Sequence, residues 1–75
     1  MIASLRGHLL ARSTDGTAIV EVAGIGYEVS MTSRSLSSLT TDGESFLYVH
    51  HHIREDNQQL FGFVTMLERS TFRIL

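Results

Sequence analysis

Apolar and polar positions alternate along most of the chain, and residues that favour turns recur between the alternating segments. A period of two indicates strands, and short strands separated by frequent turns are typical of an all-β domain. We therefore predict five strands, over residues 2–12, 17–23, 27–31, 46–53 and 58–64.

The fourth predicted strand has the clearest alternation. Its odd-numbered residues from Leu47 to Ile53 face one side, and its even-numbered residues from Phe46 to His52 face the other. His51 is thereby separated from His50 and His52. Four polar residues, "REDN" at 54–57, are predicted to reverse the chain into the fifth strand.

Two segments show helical spacing instead. "SRSLSSL", residues 33–39, places two leucines three apart and predicts one helical turn. Thr65 and Glu68 fit a capping box at the start of a helix over 66–75. This helix would carry one stripe made of Leu67, Thr71, Ile74 and Leu75. We expect residues 1–64 to form one domain and residues 65–75 to be the first, truncated helix of a following domain, since no terminal cap follows it.

This order of elements predicts a small five-stranded Greek-key barrel of the OB type, with a helical turn between strands 3 and 4 and a trailing helix. An SH3-like barrel is the main alternative on pattern alone. No apolar stretch approaches the roughly 20 residues needed to cross a bilayer, and no signal peptide is recognisable, so we expect a cytoplasmic protein.

Size and charge limit the function. A domain of 75 residues buries only about 60% of the surface that its unfolded chain exposes. Such small domains usually gain stability from disulfides, metals or association. The chain has no cysteine, which leaves association or a metal held by histidine and carboxylate. Its net charge is −2, with six arginines and no lysine. This balance argues against a stand-alone module that holds nucleic acid by overall charge.

The histidines are the first candidates for chemistry. His50 and His52 lie on one side of a strand and could share a zinc ion, but a third ligand, His8 or Glu55, would have to converge on them. The favoured interpretation is that the histidines fill half-buried strand positions. No metal site is predicted.

Other candidate motifs are weaker. Glu55 and Asp56 are neighbours in a turn and do not oppose each other across a cleft, so paired acid–base catalysis is not indicated. "GIG" at 24–26 lacks the third glycine and the helix of a phosphate loop, and a turn or bulge explains it better. Four aromatic residues suit either base stacking or a core: Tyr27, Tyr48, Phe61 and Phe63.

Four segments together carry a family resemblance: "MIASLRGHLL", "EVAGIGYEV", "HHHIREDNQQLFGF" and "ERSTFRIL". In this order and spacing they resemble the amino-terminal region of the RuvA family, the Holliday-junction-binding subunits of the bacterial branch-migration complex. The combination of "GxGYEV" with "REDxxxLFGF" is the specific part, and the resemblance covers essentially the whole chain.

The resemblance implies a fold and a role. It implies an OB barrel that assembles as a homotetramer on four-way junction DNA in recombination and repair, without catalytic residues or a cofactor of its own. A carboxy-terminal domain absent from this chain would engage the RuvB ATPase, which is the motor. Glu55 and Asp56 correspond to the family's acidic pin, the turn that projects at the crossover.

Some assignments stay open. Arg54 either contacts a phosphate or neutralises Glu55, and the arginines at 6, 12 and 34 are candidate outer contacts without motif support. Two alternatives to the junction scaffold are a general OB-fold module for single-stranded nucleic acid and a purely structural oligomerisation barrel. The first of these requires Tyr48 and Phe61 to be exposed.

Overall fold

The computed structural model describes residues 1–72. Its elements in chain order are β1 (Ser4–Arg12), β2 (Thr17–Val22), β3 (Ile25–Ser30), α1 (Ser33–Ser37), β4 (Ser45–Arg54), β5 (Asn57–Phe63) and α2 (Met66–Thr71). All five predicted strands and both predicted helical segments are present.

The strands form a closed barrel in the order β1-β2-β3-β5-β4, with β4 pairing back to β1. Every pairing is antiparallel except β3 with β5, which is parallel and consists of Val29 opposite Leu60 and Ser30 opposite Phe61. This five-stranded closed barrel, with α1 between β3 and β4, confirms the predicted OB-type architecture.

The barrel core comes from the alternation in the sequence. Val20, Val29, Leu47 and Val49 are fully buried, and their neighbours along each strand face outward. Full burial of such a side chain contributes about 1.5–3 kcal/mol. Leucines from β1 and from the α1 region complete the same cluster: Leu5, Leu9, Leu36 and Leu39.

Strand β1 serves two neighbours in succession. Residues 4–7 pair with β4, and residues 8–12 pair with β2 across a register shift between Leu9 and Ala11. At the change of partner, a Cβ on Gly7 would collide with the backbone carbonyl of Glu21. Only glycine therefore permits β1 to approach β2 this closely.

The turns differ from one another in their backbone. Between β2 and β3, Ala23 and Gly24 both have positive φ, 52° and 86°, as a two-residue type I′ turn requires. This bears out the expected turn around "AGIG". The predicted four-residue turn at 54–57 is wrong in extent. Arg54 pairs with Asn57, so only Glu55 and Asp56 remain in the turn.

Helix α2 begins as predicted. The Thr65 side chain accepts from the Glu68 amide, and Glu68 caps the Thr65 amide in return. The helix is shorter than the predicted 66–75, because Phe72 already has extended backbone. Leu67 and Thr71 of the predicted stripe are exposed, and its last two residues, 74 and 75, lie outside the described residues. None of the helices described here is both long and apolar enough to span a membrane.

Candidate nucleic-acid interface

The β4–β5 hairpin extends beyond the barrel. Its two strands pair continuously from Tyr48 with Phe63 to Arg54 with Asn57. Strand β1 follows β4 only as far as Tyr48, apart from one bond in which the Val49 amide donates to Ala3, and β3 joins β5 only from Leu60 onward. The outer part of the hairpin, residues 50–59, therefore projects with few strand partners other than itself.

The tip of this projection is negatively charged. Glu55 and Asp56 are both exposed and occupy the two turn positions. Within residues 1–72 the ion pair that the structure contains is between Arg6 and Glu44, at 3.9 Å and exposed. Neither carboxylate of the tip is thus neutralised inside the described part of the chain, and both face solvent.

Arg54 lies at the base of the turn and is engaged by a histidine. Its Nε donates to Nε2 of His52 at 2.9 Å. On the same outer face, the His52 ring stacks with that of His50, with centroids 6.4 Å apart. This contact holds Arg54 along β4, and it places cationic character beside the acidic tip without forming an ion pair to it.

His51 faces the other side, as the alternation predicts. Its Nδ1 accepts from the Ile2 amide at 3.0 Å, so the neutral ring carries its proton on Nε2 and donates to Oε1 of Gln58 at 2.8 Å. Among residues 1–72 no three His, Asp or Glu side chains are grouped to hold a metal ion. The histidines act here as hydrogen-bonding and packing groups.

The aromatic residues are largely packed. Phe72 covers Phe61 and Phe63, with ring centroids 4.9 and 5.0 Å away. Tyr48 meets Phe46 edge to face at 5.0 Å. The alternative of a single-strand binder needs Tyr48 and Phe61 to be exposed, but both are half-buried.

Two arginines hold the fold in ways that the sequence did not indicate. The Arg12 guanidinium donates to the carbonyls of Leu36 and Leu39 at the end of α1, at 3.4 and 3.1 Å. Arg69 donates from α2 to the Val49 carbonyl at 2.6 Å. No local sequence motif predicts either hydrogen bond, because each joins residues that only the folded barrel brings together. Of the other candidate outer contacts, the Arg6 guanidinium lies over the Phe46 ring at 5.1 Å, and Arg34 belongs to α1.

A cavity of about 580 Å³ lies at the base of the projecting hairpin, where β3 and β5 separate. Seven of its lining residues carry polar side-chain groups: Tyr27, Glu28, Ser30, His51, Asn57, Gln58 and Gln59. Sequence reasoning did not find it. The run of amides at 57–59 was the available signal, but its partners on β3 are distant in the chain.

The chain was compared with known proteins. The family model described as RuvA N terminal domain matches residues 1–62. Among similar proteins are three named Holliday junction branch migration complex subunit RuvA. The one from Chlorobaculum parvum is 49% identical over 100% of this chain and 37% of its own length. Those from Aliivibrio salmonicida and Prochlorococcus marinus are 45% and 44% identical, over 97% and 100% of this chain and 35% of their own lengths.

The chain thus spans a little over a third of the length of these curated relatives. Its order of strands, the "REDNQQLFGF" hairpin and the family match over residues 1–62 agree with one another. On these grounds the chain belongs to the RuvA N-terminal domain family.

Proposed function

We propose that this chain is the junction-binding first domain of a RuvA-type subunit, and that it acts on Holliday junctions during branch migration in recombination and repair. In this proposal Glu55 and Asp56 form the acidic pin and stand at the crossover of the four DNA arms. The observation that carries the assignment is the projecting hairpin whose tip bears two exposed carboxylates without an ion pair in the described chain.

The physical basis of the pin is repulsion between like charges. Two unit charges about 4 Å apart interact by about 1 kcal/mol in bulk water and by roughly 4 kcal/mol at an effective dielectric constant of 20. Carboxylates at the crossover therefore raise the free energy of any phosphate that passes close to them. Strands of the exchanging duplexes are kept apart, and the movement of the junction is restrained.

Assembly as a homotetramer brings four pins together, and other contacts have to offset their mutual repulsion. Exposed apolar side chains on neighbouring strands supply surface for such contacts: Leu10, Ile19 and Ile25. A domain of this size also gains stability from association. These features support the tetramer in the proposal.

The remaining parts of the complex lie outside this chain. Residues from 65 onward begin a second domain in the proposed subunit, and a further carboxy-terminal domain engages the RuvB ATPase that drives migration. The chain is then an accessory subunit and not an enzyme by itself, and it works in the cytoplasm with the chromosome. The names of the relatives support the branch-migration complex as the setting.

The pin is tested in the full-length subunit with the double variant Glu55→Gln/Asp56→Asn. The matched control is Glu21→Gln/Asp42→Asn, which removes the same charge outside the hairpin and leaves the Arg6–Glu44 ion pair intact. Since the pin restrains movement, we expect the pin variant, and not the control, to raise the rate of junction migration about tenfold. This corresponds to a decrease of ~1.4 kcal/mol in the activation free energy. Migration is followed by gel assay on a synthetic four-way junction, together with binding to junction and to plain duplex.

Equal migration rates for the pin variant and the wild type, with junction preference unchanged, would overturn the pin assignment. Equal changes in both double variants would show that overall charge, and not the hairpin tip, controls the crossover. A subunit that binds duplex and junction equally would overturn the proposed function itself.

A further inference from the structure

We propose that the cavity between β3 and β5 receives an unpaired nucleobase of the strand that the acidic pin holds apart. This inference rests on the proposed function for the presence of the DNA, but it assigns a separate site. The cavity measures about 580 Å³. Ligand-binding pockets in proteins measure roughly 300–1,000 Å³, so the cavity is large enough to admit a nucleobase.

The cavity arises where two strands of the barrel diverge. β3 and β5 pair only through Val29 with Leu60 and Ser30 with Phe61. The preceding residues of β3, Tyr27 and Glu28, do not pair with β5 but line the cavity together with Gln58 and Gln59. The slot is therefore bounded by two strands that no longer pair with each other.

Two amide side chains in the slot are held in defined orientations. The Nε2–H of His51 donates to Oε1 of Gln58 at 2.8 Å, so the NH₂ group of Gln58 remains a donor for a ligand. Nε2 of Gln59 donates to Oγ of Ser30 at 3.2 Å, which leaves its carbonyl oxygen as an acceptor. Because Gln58 and Gln59 alternate along β5, they present this donor and this acceptor to the slot from opposite faces of the strand.

The charge of the slot selects a base over a phosphate. No arginine or lysine lines the cavity, and Glu28 places a carboxylate at it. A carboxylate repels phosphate but accepts from the exocyclic amino group of a base, as acidic side chains do with cytosine. The ring of Tyr27, half-buried on the inner face of β3, is the aromatic surface available for stacking. The chemistry favours bases that carry an amino group over thymine.

The slot lies close to the pin, where unpaired bases would be released in the proposed function. Asn57 and Gln58 line the cavity and follow directly after the pin residues Glu55 and Asp56. A base pair opened at the pin therefore releases its bases within a few residues of the slot. Binding one of them would offset part of the free energy lost when the pair opens.

The site is tested with the full-length subunit on a junction that has adenine and cytosine at the crossover. Dimethyl sulfate methylates N1 of adenine and N3 of cytosine only where these atoms are unpaired and accessible. The test variant is Glu28→Ala, and the matched control is Glu21→Ala on the adjoining strand, outside the cavity lining. A second pair is Tyr27→Leu with the control Tyr48→Leu, because Tyr27 lines the cavity and Tyr48 does not.

We expect the crossover bases to be protected in the wild type and in both controls, and to become roughly fivefold or more reactive in Glu28→Ala and Tyr27→Leu. Duplex base pairs in the arms would stay unreactive throughout. Junction binding would remain, since no phosphate contact is removed.

Two other outcomes would refute the base-binding site without refuting the proposed function. Crossover bases that are equally reactive in the wild type and the variants would mean that the cavity holds only solvent while the pin still opens the pairs. Bases that are unreactive in every protein would mean that no base is released to fill the slot. Either result is compatible with retained preference for junctions, whereas loss of that preference in the wild type would refute the junction assignment.

Discussion

Asp15 illustrates how a single side chain in this protein is tuned by its turn. The Thr17 hydroxyl donates to its Oδ1 at 2.8 Å. This bond, followed by one from Ser13, holds the pKa of the Asp15 carboxyl below its ordinary value of 3.8. Because the folded-state pKa is depressed, the bond stabilises the fold above the unfolded-state pKa. That contribution is lost as the pH falls through the folded-state pKa.

We expect Thr17→Val to raise the pKa of Asp15 toward 3.8 and to remove this acid-sensitive contribution. The measurement is a carbon-13 NMR titration of the Asp15 carboxyl between about pH 2 and 6. Thr14→Val, in the same turn, is the control. An Asp15 titration that is identical in the wild type and in Thr17→Val would refute the assigned cause.

At the residue scale, the sequence predicted which side of a strand each side chain faces, but it did not predict the hydrogen bonds that the side chain makes. The period of two separated His51 from His50 and His52, and the structure agrees. The bond from Ile2 to His51 joins residues 49 apart in the chain, and it exists only because the barrel closes. The role of His51 in orienting Gln58 therefore could not be derived from spacing.

At the element scale, the two tight hairpin turns use different solutions. The β2–β3 turn has positive φ at both Ala23 and Gly24. The β4–β5 turn also has two residues, yet neither Glu55 nor Asp56 has positive φ. Two-residue hairpin loops favour the mirror-image turns formed by Asn-Gly. The acids at the tip are thus not the residues that turn geometry would select.

We accordingly expect Glu55→Asn/Asp56→Gly to raise the free energy of unfolding by up to about 1 kcal/mol while abolishing the pin charge. Urea denaturation followed by circular dichroism measures the change. The comparison variant is Glu55→Gln/Asp56→Asn, which removes the same charges but does not introduce the preferred turn sequence. A lower denaturation midpoint in the Asn-Gly variant than in the comparison would contradict the argument.

The start of α2 was predictable from neighbouring residues, whereas its end depends on contacts with a distant strand. The capping box of Thr65 and Glu68 was found because both partners lie within one helical turn. The end of α2 at Thr71 was not found, since Phe72 leaves the helix to pack on Phe61 and Phe63 of β5. Tertiary packing overrode a sequence that otherwise continues to favour helix.

At the scale of the whole molecule, charge is arranged locally. The net charge is −2, and several arginines already have partners within the protein: Arg6 with Glu44, Arg12 with the α1 carbonyls, Arg54 with His52 and Arg69 with the Val49 carbonyl. Within residues 1–72, most arginine side chains therefore have a partner inside the protein. In the proposed function, the acidic tip therefore acts through its position and not through overall attraction.

We therefore expect the 75-residue chain alone to bind a four-way junction weakly, with Kd above about 10⁻⁴ M at physiological salt, the weak end of non-specific binding. Fluorescence anisotropy with a labelled junction measures this, and the full-length subunit is the positive control. Micromolar binding of single strands by the chain alone, with steep salt dependence, would favour the general single-strand module instead.

The overall architecture was derivable because alternation and turn residues are local signals that β-barrels repeat along the chain. The candidate site was only half derivable. The polar turn between two strands was visible in the sequence, and its proposed role as a pin came from the family resemblance. The cavity depends on where β3 meets β5, and no spacing within either strand states that register.

The short seam between β3 and β5 also bears on how the barrel assembles. β1–β2, β2–β3 and β4–β5 join strands that are consecutive in the chain. Two pairings join distant residues: β1–β4 through four pairs, and the seam through two. Contacts between distant residues carry the largest loop-closure entropy and form late. We infer that the meander and the hairpin fold first and that both long-range pairings close later, with the seam held by the fewer pairs. The β3–β5 seam, with only two pairs, is then also the first part of the barrel to open in thermal fluctuations. Such local opening would widen the slot while the other strand pairings remain formed.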